Sequence, residues 1–95
     1  MDPDLEQLAL LRALLRYFES HPFCCDSVQG MARWWFPQGT PVDMNKLLSC
    51  LRWLREKELI EELVAADGRI RHRRTGTDAQ FAAARRRLDQ ERCLW

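Results

Sequence analysis

The sequence predicts a mainly α fold with one β-hairpin, an α+β arrangement, on three observations. Apolar residues recur at helical spacing in several separate segments. Two short extended runs flank Asp67-Gly68, a strong signal for a tight hairpin turn. The chain has 95 residues, of which 46% are hydrophobic, with four Gly and four Pro. That is enough for one core and too little for two domains.

The first helix is expected over 5–20. Leu8, Leu11, Leu15 and Phe18 form one face and Leu10, Leu14 and Tyr17 a neighbouring one, leaving Arg12, Arg16 and Glu19 as a narrow polar stripe. Such a helix is either the centre of a small bundle or a subunit interface, and Leu10, Leu14 and Tyr17 are the candidates for the latter. His21-Pro22 ends it. Asp26 or Ser27 then caps a second helix running to Phe36, with Val28, Met31, Ala32 and Trp35 as its core face and Pro37 as its stop. Thr40-Pro41-Val42-Asp43 reads as a capping box with Pro at the first helical position, so a third helix should begin there. Its apolar stripe is Met44, Leu47, Leu48, Leu51 and Leu54.

If the Asp67-Gly68 turn has two residues, counting places Val64 opposite Arg71, Leu63 opposite His72, Glu62 opposite Arg73 and Glu61 opposite Arg74. His72 would then share a face with Ile70 and pack against the body. Thr77 or Asp78 can cap a final helix with Phe81, Ala84 and Leu88 on its inner side. The domain is expected over 5–76, with 77–95 packing on it or forming a dimer interface.

Charge narrows the chemistry. Fifteen Lys+Arg stand against 14 Asp+Glu, a net +1, which excludes a non-specific nucleic-acid coat. The balance is local as well: positions 61–68 hold three acids and no base, and 69–76 hold four arginines and no acid. The run Arg85-Arg86-Arg87 fans around a helix and reads as a solvated face. Asp2 and Asp4 oppose a signal peptide and no apolar run suffices for a membrane span, so the chain is expected to be cytoplasmic, with reduced thiols. His21, Cys24, Cys25 and Cys50 lack the paired spacing of a zinc site, although His21 beside Cys24-Cys25 at a helix start could favour a redox-sensitive thiol. No phosphate loop or acid–base constellation is legible, so neither an enzyme nor a metal or cofactor is expected.

Two helices, a short connection, a capped helix and a charged hairpin together resemble the winged helix-turn-helix superfamily over 5–74. The most specific segment, Leu51-Arg52-Trp53-Leu54-Arg55-Glu56-Lys57-Glu58-Leu59-Ile60-Glu61-Glu62, is similar to the end of a recognition helix running into the wing in small bacterial regulators. There the position of Glu58 is usually Gly, which suits a left-handed helix end. The resemblance implies a transcriptional regulator binding double-stranded DNA as a dimer, with Asn45, Lys46, Ser49 and Arg52 on the bases and Arg69 and Arg71 on the backbone. The same superfamily includes protein-docking modules. That alternative rests on Trp34 and Trp53, rings counted onto outer faces, unless the C-terminal helix covers one of them.

Overall fold

The computed structural model describes residues 5–37, 39 and 42–90, with four helices and a three-stranded antiparallel sheet in one α+β unit. Helix α1 spans Leu5–Ser20. Leu10, Leu11, Leu14, Leu15 and Phe18 are all buried, because other helices of the same chain pack on two of its sides. It is the central helix. Strand β1, Cys25–Asp26, has only two residues, too few for any alternation to reveal it from sequence.

Helix α2 spans Val28–Trp34. The Ser27 hydroxyl caps it by accepting from the Gly30 N–H at 3.1 Å. It stops two residues short of the expected Phe36, yet Phe36 is still buried in the core. Helix α3 spans Met44–Glu56 and is capped by Asp43, whose carboxylate accepts from the Asn45 and Lys46 N–H groups. The expected start at Thr40-Pro41 is therefore corrected: Val42 is not helical and Asp43 is extended, while Thr40 and Pro41 lie outside the described residues. The stripe is also rotated. Leu47, Cys50, Leu51, Trp53 and Leu54 face inward, and Met44 and Leu48 are exposed.

The end of α3 is a Schellman motif. Leu59 N–H donates to Leu54 O at 3.0 Å and Glu58 N–H to Arg55 O at 2.9 Å, with Leu54 and Leu59 both buried behind the turn. Glu58 sits at φ 61°, in the left-handed region where a Cβ costs roughly 1–2 kcal/mol. The turn keeps the geometry that Gly would favour and carries Glu instead.

Strands β2, Ile60–Val64, and β3, Ile70–Arg74, follow, and the sheet order is β1-β3-β2. Gly68 N–H donates to Ala65 O, Ala65 N–H donates to Arg69 O, and Gly68 has φ 82°. The loop thus has three residues, a turn closed by a left-handed Gly, rather than two. The extra residue shifts the register by one: Ile60 faces Arg74, Glu61 Arg73, Glu62 His72, Leu63 Arg71 and Val64 Ile70. Such a slip exchanges partners along the whole ladder. Ile60, Glu62, Val64, Ile70, His72 and Arg74 share the face toward the body, and Glu61, Leu63, Arg71 and Arg73 share the other.

Helix α4 spans Asp78–Gln90. It opens on a reciprocal capping box: Thr77 N–H donates to Gln80 Oε1 at 2.7 Å and Gln80 N–H to Thr77 Oγ1 at 3.2 Å. Phe81, Ala84 and Leu88 are buried, as the spacing predicts, and α4 lies against α1. Gly76 lets the entry to α4 close on the end of α3. A Cβ there would stand 2.9 Å from a Leu59 methyl and 3.2 Å from the Phe81 ring. No helix among the described residues is long and apolar enough to cross a membrane.

Candidate functional site

The four hairpin arginines meet four different fates. Arg74 points into the body, its side chain 7% exposed. It donates to Gly76 O at 2.8 Å, to Phe18 O at 3.2 Å and to the Asp78 carboxylate at 2.5 Å, and lies over the Phe81 ring. It thereby ties α1, β3 and α4 together, supplying a donor to the last turn of α1, where helix carbonyls lack partners. Arg73 is held by Glu61 on the outer face. The expected pairing of Arg74 with Glu61 and of Arg73 with Glu62 gives way to this arrangement because of the register shift. Arg71 is exposed on the face turned away from α3, and Arg69 stands at the tip with Asp67 at 3.6 Å.

On α3, Asn45, Ser49 and Arg52 are exposed along one face, with Leu48 beside them. Ser49 donates its hydroxyl to Asn45 O at 3.0 Å. Lys46 turns elsewhere, to Glu6 of α1 at 2.7 Å. Arg55, at the α3 end of that face, reaches across to Glu62 on β2 at 2.5 Å. The structure therefore groups Asn45, Ser49 and Arg52 and sets Arg69 nearby, while Lys46 and Arg71 leave the group.

Between α3, the start of α2 and the hairpin lies a cleft of about 620 Å³. Val28, Leu48, Leu51 and Ile70 form its apolar walls; Arg55, Glu62, Arg69 and His72 supply its polar groups. Leu48 is 49% exposed and Ile70 47%, and Val64, opposite Ile70, is open to solvent. His72 is 3% exposed, and among the described residues its Nδ1 has no hydrogen-bond partner. Burial pushes the His72 pKa below its ordinary value; the charges of Glu62 and Arg55 act in opposite directions and the burial effect prevails. Packing of His72 against the body is as expected, but its neighbour across the ladder is Glu62 and not Leu63.

Among the interface candidates, Leu10 and Leu14 are core residues of α1 and offer no outer face. Tyr17 is half-buried in a stack, 4.2 Å from the His21 ring and 4.1 Å from Trp35. Trp53 is buried, with Lys57 over its ring, and it borders a depression shared with Gln80, Ala83, Ala84 and Arg87 of α4. The C-terminal helix thus removes Trp53 from any interface. Trp34 is exposed, with Arg33 against its ring. Phe23 is more exposed still and has no periodicity to mark it, since it sits in the turn after α1.

Arg85 of the basic run binds Glu19 of α1 at 2.8 Å, and Arg12 binds Asp89 at 2.9 Å, so α4 is fastened to α1 by ion pairs as well as by its apolar stripe. The inner faces of the first and last helices are packed against the body of the same chain. Cys24 is half-buried, Cys25 exposed and Cys50 buried, with the Cys50 thiol donating to Gln7 O at 3.4 Å. Burial pushes the Cys24 thiol up to about 11, opposite to the activation expected beside His21. No group of three or more His, Cys, Asp or Glu among the described residues is placed to hold a metal ion. Compared with protein-family models, curated proteins and solved structures, the chain matches none.

Proposed function

We propose that the chain is a winged-helix module that docks a protein partner through the cleft between α3 and the hairpin. The order α1-β1-α2-α3-β2-β3, with β1 paired to β3, fits a winged helix in which α3 stands where a recognition helix stands and the hairpin is the wing. The observation that carries the docking reading is the makeup of this face. Leu48 and Ile70 are exposed on facing walls, while Arg55, Arg73 and Lys46 are engaged by Glu62, Glu61 and Glu6. Exposed apolar groups beside a cleft favour a protein surface over a phosphate backbone.

A second reading keeps double-stranded DNA as the partner, because Asn45, Ser49 and Arg52 form an exposed row suited to base edges. Its electrostatic support is thin. Even with both Arg69 and Arg71 as phosphate contacts, binding would weaken only about 12-fold between 50 and 200 mM salt, against roughly 10³–10⁵ for a protein making 6–10 such contacts.

The two readings separate in one experiment. Affinity capture on the wild-type chain and on the double variant Leu48→Asp, Ile70→Asp is compared with duplex retardation at low salt. Both side chains are about half exposed, so the double variant should stay folded with a loss of roughly 1–3 kcal/mol, which a dispersed spectrum checks before capture. The docking reading expects a protein that is captured by the wild type and lost from the variant, with no retarded duplex. A duplex retarded by the wild type and released by Arg52→Ala with Arg69→Ala would establish the DNA reading instead.

A further inference from the structure

A second depression lies on the other side of α3 from the cleft. Trp53, Leu59, Ala83 and Ala84 form its floor and walls, Lys57, Gln80 and Arg87 its polar rim, and its volume is about 190 Å³. Trp53 stands two positions from the cleft residue Leu51, roughly 200° around the helix, and the two sites share no lining residue.

The polar groups left open here are donors. Lys57 Nζ lies over the Trp53 ring at 5.6 Å, and no carboxylate among the described residues pairs with it. Gln80 gives its carbonyl oxygen to the Thr77 N–H at 2.7 Å, which leaves its amide NH2. The Trp53 indole N–H has no partner among the described residues either, and it is not one of the polar atoms sealed from solvent. Arg87 adds positive charge from α4, and among the described residues no Asp or Glu lines the depression.

Donors around an apolar floor select one kind of ligand. A cation would meet like charge and no carboxylate. A wholly apolar molecule would strip water from Lys57 and the indole N–H without replacing it. A bare inorganic anion would leave the indole, Leu59 and the two alanines unused. A carboxylate with an apolar group attached meets both needs, and the volume, below the roughly 300–1,000 Å³ of sites for drug-sized ligands, holds that group to about one ring.

We propose that this depression binds a small free monocarboxylate bearing a single apolar group, its carboxylate on Lys57 and the Trp53 indole N–H, its apolar part against Leu59, Ala83 and Ala84. Because α3 and α4 each supply part of the site, the bound ligand fastens the C-terminal helix to the body, whichever partner the cleft takes.

The test is an NMR titration of the full chain with cyclohexanecarboxylate, its neutral carboxamide, cyclohexylmethylamine and acetate, each to about 20 mM at constant ionic strength. Cyclohexanecarboxylate should move the Trp53 indole signal and the Ala83 and Ala84 methyl signals. It should bind about 3- to 5-fold more tightly than the carboxamide, the effect of one exposed charge pair. Acetate and the amine should leave those signals in place. Lys57→Gln should bring the carboxylate down to the carboxamide, whereas Arg86→Gln, removing an exposed α4 cation outside the lining, should change nothing. Ala83→Glu, which supplies a tethered carboxylate from an exposed helical position, should abolish binding of the free one. Equal affinity for carboxylate and carboxamide, equal movement by acetate, an unchanged preference in Lys57→Gln, full binding by Ala83→Glu, or no movement of these signals by any compound overturns the proposal.

Discussion

The two ends of the hairpin differ more than their sequences suggest. At its base, where β3 meets α1 and α4, the polar groups of Arg74, Thr77 and Gln80 have partners, and Phe18 and Phe81 are fully buried. At its tip, beside α3, Ile70 and Leu48 remain half exposed, Val64 is open, and a buried imidazole nitrogen is unmatched. Both ends carry arginines. What separates them is the distance from α4: the last helix supplies the surface that completes the base, and nothing among the described residues does the same at the tip. An unfinished region in an otherwise finished fold is where an external partner gains most, since each of its groups is already held in place.

The sharpest way to break the contrast is Arg74→Met. The guanidinium serves two backbone carbonyls, one carboxylate and one ring, so its loss leaves Phe18 O and Gly76 O short of a donor. Urea denaturation should show a loss of about 3 kcal/mol. Arg74→Lys should recover less than half of it, because a point charge cannot span three acceptors. Arg71→Met, on the exposed outer face of the same strand, should stay within about 0.5 kcal/mol.

At the tip, pH is the probe. The folded His72 pKa lies below the ordinary 6.5, so the unfolded chain takes up a proton that the folded chain resists. This histidine's contribution is fully present above about pH 7 and is lost as pH falls through 6.5, by no more than about 1.4 kcal/mol per pH unit. Stability measured between pH 7.5 and about 5.5 should fall in the wild type and fall less steeply in His72→Leu. An unchanged slope would show that the imidazole titrates freely.

The smallest effect belongs to the junction of the two regions. Glu58→Gly should stabilise the protein by about 0.5–1 kcal/mol, the relief of a left-handed Cβ less the added entropy of Gly in the unfolded chain. Thermal unfolding should show a rise of roughly 3–6 °C for a domain of this size. Glu58→Ala, which keeps the Cβ, should show none of that gain.

Periodicity made α1 and the inner stripe of α4 legible, because an apolar face repeating over three or more turns has one consistent burial solution. The α4 start was legible to within one residue, as Thr77 or Asp78; the structure makes Thr77 the cap, with Gln80 returning the bond. The hairpin turn was located correctly by Asp67-Gly68, but its length was not, as both two- and three-residue loops use that dipeptide. That single residue decided which arginines share a face with α3. Strand β1 escaped notice because it exists only through its pairing with β3. Helical counting put Trp53 on an outer face and left open whether the C-terminal helix covers it, because counting measures angles around one axis and cannot see a second helix arriving from 25 or more residues away.

The sequence alone determined that this is one small α+β unit whose net charge is nearly zero, and where its helices and turn lie, because propensity, capping and periodicity act between residues close along the chain. Only the tertiary structure decided that Arg74 is a clamp, that Arg71 faces away, that Trp53 is covered and that His72 lines an open cleft with an unmatched nitrogen. These outcomes depend on strand register and on the docking of α4, both set by contacts between residues far apart in sequence. A one-residue change in loop length, invisible to composition and charge, is enough to redistribute them.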